Sequence, residues 1–180
     1  MDMINRSVYL KRPTLDELKY TEKLLACPKT MEFNNKWGGT VAFPKDKWES
    51  FFDRYCKGNY YYEYFHIYNL DNVFIGEVST RFDNKYNSFI LNIKIKYEFR
   101  GNNHASDALE VFFDYLFKEK GIDFIQDNVA IENTGAIKLL LNIGFKEVDK
   151  TSEIVLLRLD KNTWLWKQKK SEENCSKYLL

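Results

Sequence analysis

The strongest constraint on this chain lies between Phe89 and Phe117. A run alternating through Leu91, Ile93 and Ile95 enters a tight polar turn, Arg100-Gly101-Asn102-Asn103-His104-Ala105, and then an apolar stripe. Alternation of period two marks a strand with one buried face. After the turn, Ala105, Ala108, Leu109, Phe112, Phe113, Leu116 and Phe117 recur at i, i+3, i+4, i+7 and i+8, the spacing of one helix face. Strand, turn and helix in that order build an anion site. The first amides of a helix have no intrahelical partner, and its dipole adds roughly half a positive charge there, which stabilises phosphate without base or sugar recognition. The turn therefore points to a phosphorylated ligand.

The flanking sequence supplies a sheet and further helices. Val8 and Leu10 suggest a strand, and Thr14 with Glu17 makes a capping box that opens a helix over about 14–26. Cys27 to Phe43 reads as a loop, and Pro44 opens a second helix carrying Trp48, Phe51, Phe52 and Tyr55 towards Gly58. Tyr60–Tyr68, Val73–Phe82 and Phe89–Lys96 form an antiparallel meander, with turns at Leu70-Asp71-Asn72 and Asp83–Asn87. Phe124–Ile131 is a further strand, Asn133–Ile143 a short helix stopped by Gly144, and Val148–Leu159 one or two closing strands. The pattern predicts an α/β (α+β) fold. A mixed, largely antiparallel sheet of about six to seven strands is flanked by about four helices, in one domain over 1–166 with a polar C-terminal tail over 167–180.

Composition narrows the partners. Formal charge is +1, from 27 basic and 26 acidic residues, which leaves no general basic field for nucleic acid or an anionic membrane. Cys27, Cys56 and Cys175 are odd in number and far apart, as plain thiols in a reducing compartment would be. No run approaches the roughly 18 apolar residues of a membrane span, and no apolar leader follows Met1. A cytoplasmic protein acting on small molecules or a local protein segment, as monomer or homodimer, is expected.

The order of elements resembles the GNAT fold of acetyl-CoA-dependent N-acetyltransferases across nearly the whole chain. The family's signature is Arg or Gln, two variable residues, Gly, one variable residue, then Gly or Ala. Arg100 and Ala105 match its ends and Asn103 stands at the middle glycine, where Asn is the non-glycine residue that best tolerates left-handed angles. Asn133-Thr134-Gly135-Ala136 through Gly144-Phe145 resembles the family's second block. The resemblance implies that Arg100, Gly101, Asn102, Asn103, His104, Ala105 and Ser106 hold the diphosphate of coenzyme A. Ile93, Lys94 and Ile95 would offer a strand edge to its pantetheine arm, and Asn133 and Ala136 would meet the arm from across the cleft. By the same resemblance Asn133 is a candidate catalytic residue, hydrogen-bonding the arm or a water; it also reads as a helix N-cap, and the roles can coexist. No metal is implied, since no His or Cys spacing fits a zinc site.

Catalytic groups are harder to place. Many family members carry a glutamate on the strand before the turn and a tyrosine in the last short helix, and Phe89 and Leu140 occupy those positions here. Leu140 is similar to the branch that acetylates ribosomal-protein N-termini. A symmetric five-residue turn at Asp83–Asn87 would pair Glu77 with Ile93 and set this carboxylate among apolar neighbours. Its pKa would then be raised, as suits a general base. The alternative is a solvated Glu77, or one paired with Arg81. His104 reads as a phosphate contact or an exposed loop side chain, and His66 as a core or inter-strand hydrogen-bonding residue. Trp37, Tyr62 and Tyr64, with Phe43, Tyr60 and Tyr61, are candidates to enclose an acceptor amine, and Glu32 and Glu63 are candidate partners for its charge. The expected function is transfer of acetyl from acetyl-CoA to a primary amine, on a small molecule or a protein N-terminus. The alternative is a regulatory module that binds acetyl-CoA without turnover.

Overall fold

The computed structural model describes residues 3–5 and 7–177, with side chains described over 7–35 and 38–170. The alternating segments form eight strands: β1 (Met3–Asn5), β2 (Val8–Lys11), β3 (Tyr62–Asn69), β4 (Phe74–Asp83), β5 (Ser88–Ile95), β6 (Phe124–Ala130), β7 (Lys146–Lys150) and β8 (Ile154–Asp160). They join in one sheet of order β1-β2-β3-β4-β5-β6-β8-β7. The sheet thus has one strand beyond the expected range, the three-residue β1 at its edge. Every pairing is antiparallel except β5 with β6, which is parallel and runs through only Phe89↔Ile125 and Ile90↔Gln126. Beyond Ile90 the two strands part.

Five helices flank the sheet: α1 (Leu18–Leu25), α2 (Trp48–Phe51), α3 (His104–Asp114), α4 (Thr134–Ile143) and α5 (Lys161–Lys177). The first begins four residues later than expected. Residues 15–17 form a turn, in which the Thr14 amide donates to the Glu17 carboxylate at 2.8 Å, so one half of the capping box is made. Helices α2 and α3 each continue into a wider π-helical turn, at Phe52–Cys56 and Tyr115–Glu119.

The stripe after the polar turn is what fixes the core. Ala108, Leu109, Phe112, Phe113, Leu116 and Phe117 are all fully buried, packed with Phe65, Ile67, Val78, Leu91 and Ile125 of the sheet. At roughly 1.5–3 kcal/mol for each large apolar side chain removed from water, this face anchors α3 firmly, so the turn before it has a fixed position. The opposite face of the sheet packs against α1 and α2 through Leu18, Trp48 and Tyr64.

Two expectations are corrected. The segment from residue 167, expected as a polar tail, continues α5 to Lys177, and the helix is anchored by Trp164. That side chain is buried against Phe113, and its indole Nε1 donates to Asp114 at 2.8 Å. The β4–β5 turn is one residue shorter than a five-residue loop: Asp83 pairs with Ser88, Phe82 with Phe89 and Glu77 with Lys94. A shift of one residue moves a side chain to the other face, so Glu77 lies with Lys94, Tyr64 and His66 rather than with Leu91, Ile93 and Ile95.

Candidate functional site

Where β5 and β6 part, a cavity of about 690 Å³ opens towards the start of α3. One wall is β5 from Leu91 to Ile95, whose edge past Ile90 has no strand partner. The other is β6 from Asp127 to Ala130 with the first turns of α4, and the loop Thr30–Asn34 closes one side. Gly101 and Asn103 to Ser106 form the floor.

The turn has the geometry of an anion cradle. Asn103 is the N-cap of α3 with φ 62°, the left-handed conformation that a residue at the signature's middle glycine must adopt, and Gly101 beside it has φ 79°. Among the described residues no side chain caps the helix, which leaves the amides at its start available to a ligand. His104 is tethered through Nδ1 to the Ser7 hydroxyl at 3.0 Å, while that hydroxyl donates to Asp107 at 2.5 Å. Ser7 has one proton to give, so His104 Nδ1 is the donor in this pair.

Of the residues expected at the cofactor, Ile93, Lys94, Ile95, Arg100, Gly101, Asn103, His104, Ala105, Ser106, Asn133 and Ala136 all line the cavity. Asn102 does not; its carboxamide turns back to the Arg100 carbonyl. The Arg100 guanidinium is engaged by Glu32 at 2.5 Å, by the Thr30 carbonyl at 2.6 Å and by the Ile95 carbonyl, and so ties the Thr30–Asn34 loop to the turn. Asn133 caps α4, its oxygen accepting from the Ala136 amide at 3.1 Å.

The catalytic expectation for Glu77 is corrected. Its side chain is almost fully buried and outside the cavity lining, it pairs with Lys94 at 2.9 Å, and it accepts from the Tyr64 hydroxyl at 2.6 Å. Burial alone would raise its pKa. The Lys94 ammonium and the donated hydrogen bonds outweigh burial and hold the carboxyl below its ordinary value, which is the wrong direction for a base near neutrality. Arg81, the other expected partner, pairs with Asp83.

Tyr62 and Tyr64 are likewise outside the cavity lining. The Tyr62 hydroxyl accepts from Arg54, and Tyr64 is buried with its hydroxyl linked to Thr21 as well as to Glu77. His66 is a core residue, with Nε2 bonded to Thr21 at 2.9 Å and its pKa pushed by burial down to about 4. Glu63 is buried among Arg12, Tyr115 and Lys120 at the far end of α3, and the Trp37 side chain lies outside the described residues.

Two contributors escaped the sequence reading, Glu32 of the first apart. The Thr30–Asn34 loop reaches the cavity by a long-range contact that no periodicity announces. Asp127, just past the parting of β5 and β6, presents the one carboxylate on that strand to the cavity. Its only local signal is an acidic residue in a largely apolar strand. Among the described residues no group of three or more His, Cys, Asp or Glu could hold a metal ion, and no helix is long and apolar enough to cross a membrane.

With this geometry in place, a family model for the acetyltransferase (GNAT) domain matches residues 7–146. The chain belongs to the GNAT acetyltransferase family. A comparison with curated proteins finds no match. Among solved GNAT structures, the spermidine N-acetyltransferase of Vibrio cholerae, in complex with CoA and spermine, superposes with TM-score 0.76 at 19% identity, covering 89% of this chain and 99% of that one. A GNAT-family acetyltransferase from Bacillus anthracis gives 0.73 at 12% identity, covering 90% and 99%. At these identities the likeness carries the fold.

Proposed function

We propose that this chain transfers acetyl from acetyl-CoA to a primary amine by direct attack within a ternary complex. The observation that carries the reading is the parting of β5 from β6 over a cavity that ends on the uncapped N-terminus of α3. A diphosphate needs clustered N–H donors and a positive dipole, and the amides of Asn103 to Ser106 supply both. A peptide-like arm needs an unpaired strand edge, and β5 offers one from Leu91 to Ile95. These parts line one cavity, so a ligand with its diphosphate at the start of α3 and its arm along β5 would carry a thioester towards Leu91 and Asp127, where β5 and β6 part. Acetyl-CoA supplies an activated acyl group; the chain's residues hold its carrier, exclude water and orient the acetyl carbon.

The acceptor class follows from chemistry and comparison together. Amine acetylation requires only a neutral nitrogen within reach of the thioester, and the structure of the Vibrio cholerae spermidine N-acetyltransferase holds spermine, a polyamine. Whether the physiological acceptor is a small amine or a protein N-terminus is decided by experiment. Thiol release from acetyl-CoA is measured against polyamines, aminoglycosides, amino acids and short peptides. Release with one of these classes is expected, and binding of acetyl-CoA without release across the panel would replace the enzyme with a regulatory module.

A further inference from the structure

We infer that Asp127 is the group that moves the proton in this reaction, taking it from the attacking amine and returning it to the departing sulfur. The inference rests on the acetyl-transfer reading above and fills the place left by Phe89 and Leu140, neither of which can exchange a proton.

Position carries the argument. The parallel register ends at Ile90↔Gln126, so the next residues on the two strands, Leu91 and Asp127, stand level across the mouth of the gap. Asp127 is half-buried at the cavity wall, shares its face of β6 with the buried Ile125 and Val129, and faces a cavity also lined by Leu91, Leu139 and Leu140. Its antiparallel partner on β8 is Leu157. The ionisable side chains around the cavity are Glu32, Lys94, Arg100 and His104. Lys94 is held by Glu77 and Asn92, Arg100 by Glu32, and His104 by Ser7. Among the described residues, no charged group shifts the Asp127 carboxyl. Burial raises its pKa to about 7, against a small opposing effect of the Asn128 amide, so near neutrality both of its protonation states are populated.

The step balances without a further reactant. The amine nitrogen bonds to the acetyl carbon and the carbon–sulfur bond breaks, its electron pair leaving on sulfur. The proton shed by nitrogen goes to the Asp127 carboxylate, and from there to sulfur. One amine and one thioester become one amide and one thiol, and Asp127 ends as it began.

Asp127→Asn tests this. With acetyl-CoA and an amine accepted by the wild type, kcat is expected to fall by about 100-fold or more, the usual size of one acid–base group, while the acetyl-CoA Kd stays within about threefold. The wild-type rate is expected to show a limb near pH 7 that the variant lacks, and Asp127→Glu should restore part of the rate. Wild-type turnover and an unchanged pH profile in Asp127→Asn would overturn the assignment. A carboxyl-carbon NMR titration tests it independently of turnover. One aspartate titrating near pH 7, absent from Asp127→Asn, is expected, and its absence from the wild type would overturn the assignment. Failure to bind acetyl-CoA would overturn the acetyltransferase reading instead.

Discussion

Asn103 stands where the family signature has a glycine, and its φ of 62° shows what that position requires. A β-branched residue meets a penalty of roughly 1–2 kcal/mol in this conformation. Asn103→Val is therefore expected to lower stability by about that amount and to weaken acetyl-CoA binding, whereas Asn103→Gly should keep both. Thermal unfolding and calorimetry of the two variants check this. Glu77 shows how far a single residue can be misread. The sequence contains the turn residues Asp83 to Asn87, but whether four or five of them form the loop is settled by how β4 and β5 dock. That one-residue difference decides whether Glu77 sits among aliphatic side chains or beside Lys94. With its pKa lowered by Lys94, Glu77 stabilises the fold fully above its unfolded pKa of about 4.3 and loses this contribution as pH falls through the folded value. Glu77→Gln is thus expected to cost about 1–3 kcal/mol near neutrality and to leave the pH dependence of turnover unchanged. A displaced rate profile would return Glu77 to the chemistry.

At the level of elements, α3 and β5 were the most legible, because periodicity and turn chemistry agree there: a 3.6-residue stripe follows a two-residue alternation across a polar turn. Helix α5 was not legible, since its polar surface hides the long-range packing of Trp164 against Phe113. Trp164→Ala should cost about 3–5 kcal/mol, read from urea unfolding, and a change under 1 kcal/mol would show that the helix docks otherwise. Gly76 is a second feature set by strand contact. A Cβ there would fall 2.2 Å from the Lys94 carbonyl oxygen, a backbone atom that cannot swing away. Gly76→Ala is expected to destabilise the protein by about 1–3 kcal/mol and to distort β5 where the arm would lie, so acetyl-CoA affinity should fall with stability.

For the whole molecule, two groups with oppositely shifted pKa values, His66 and Asp127, pull the acid response in opposite directions. His66 is held at about 4 in the fold against about 6.5 unfolded, so acidification through that window favours the unfolded state. Asp127, near 7 in the fold against about 3.9 unfolded, binds a proton first in the native state, so acidification over an overlapping window favours the fold. The two offset each other, and removing Asp127 exposes the other. The urea midpoint of Asp127→Asn is expected to fall more steeply than that of the wild type between pH 6.5 and 4, and parallel curves would contradict the opposition. The sheet order, the parted strands and the uncapped helix together support the proposal of a site for a diphosphate-linked thioester. Its most direct test is calorimetric titration of acetyl-CoA into folded wild-type protein and into Ala105→Glu, which puts bulk and negative charge at the helix start. Saturable binding to the wild type, weakened at least 100-fold in a variant that still unfolds cooperatively, is the predicted result. No binding to the wild type, or equal affinity in both, would contradict it.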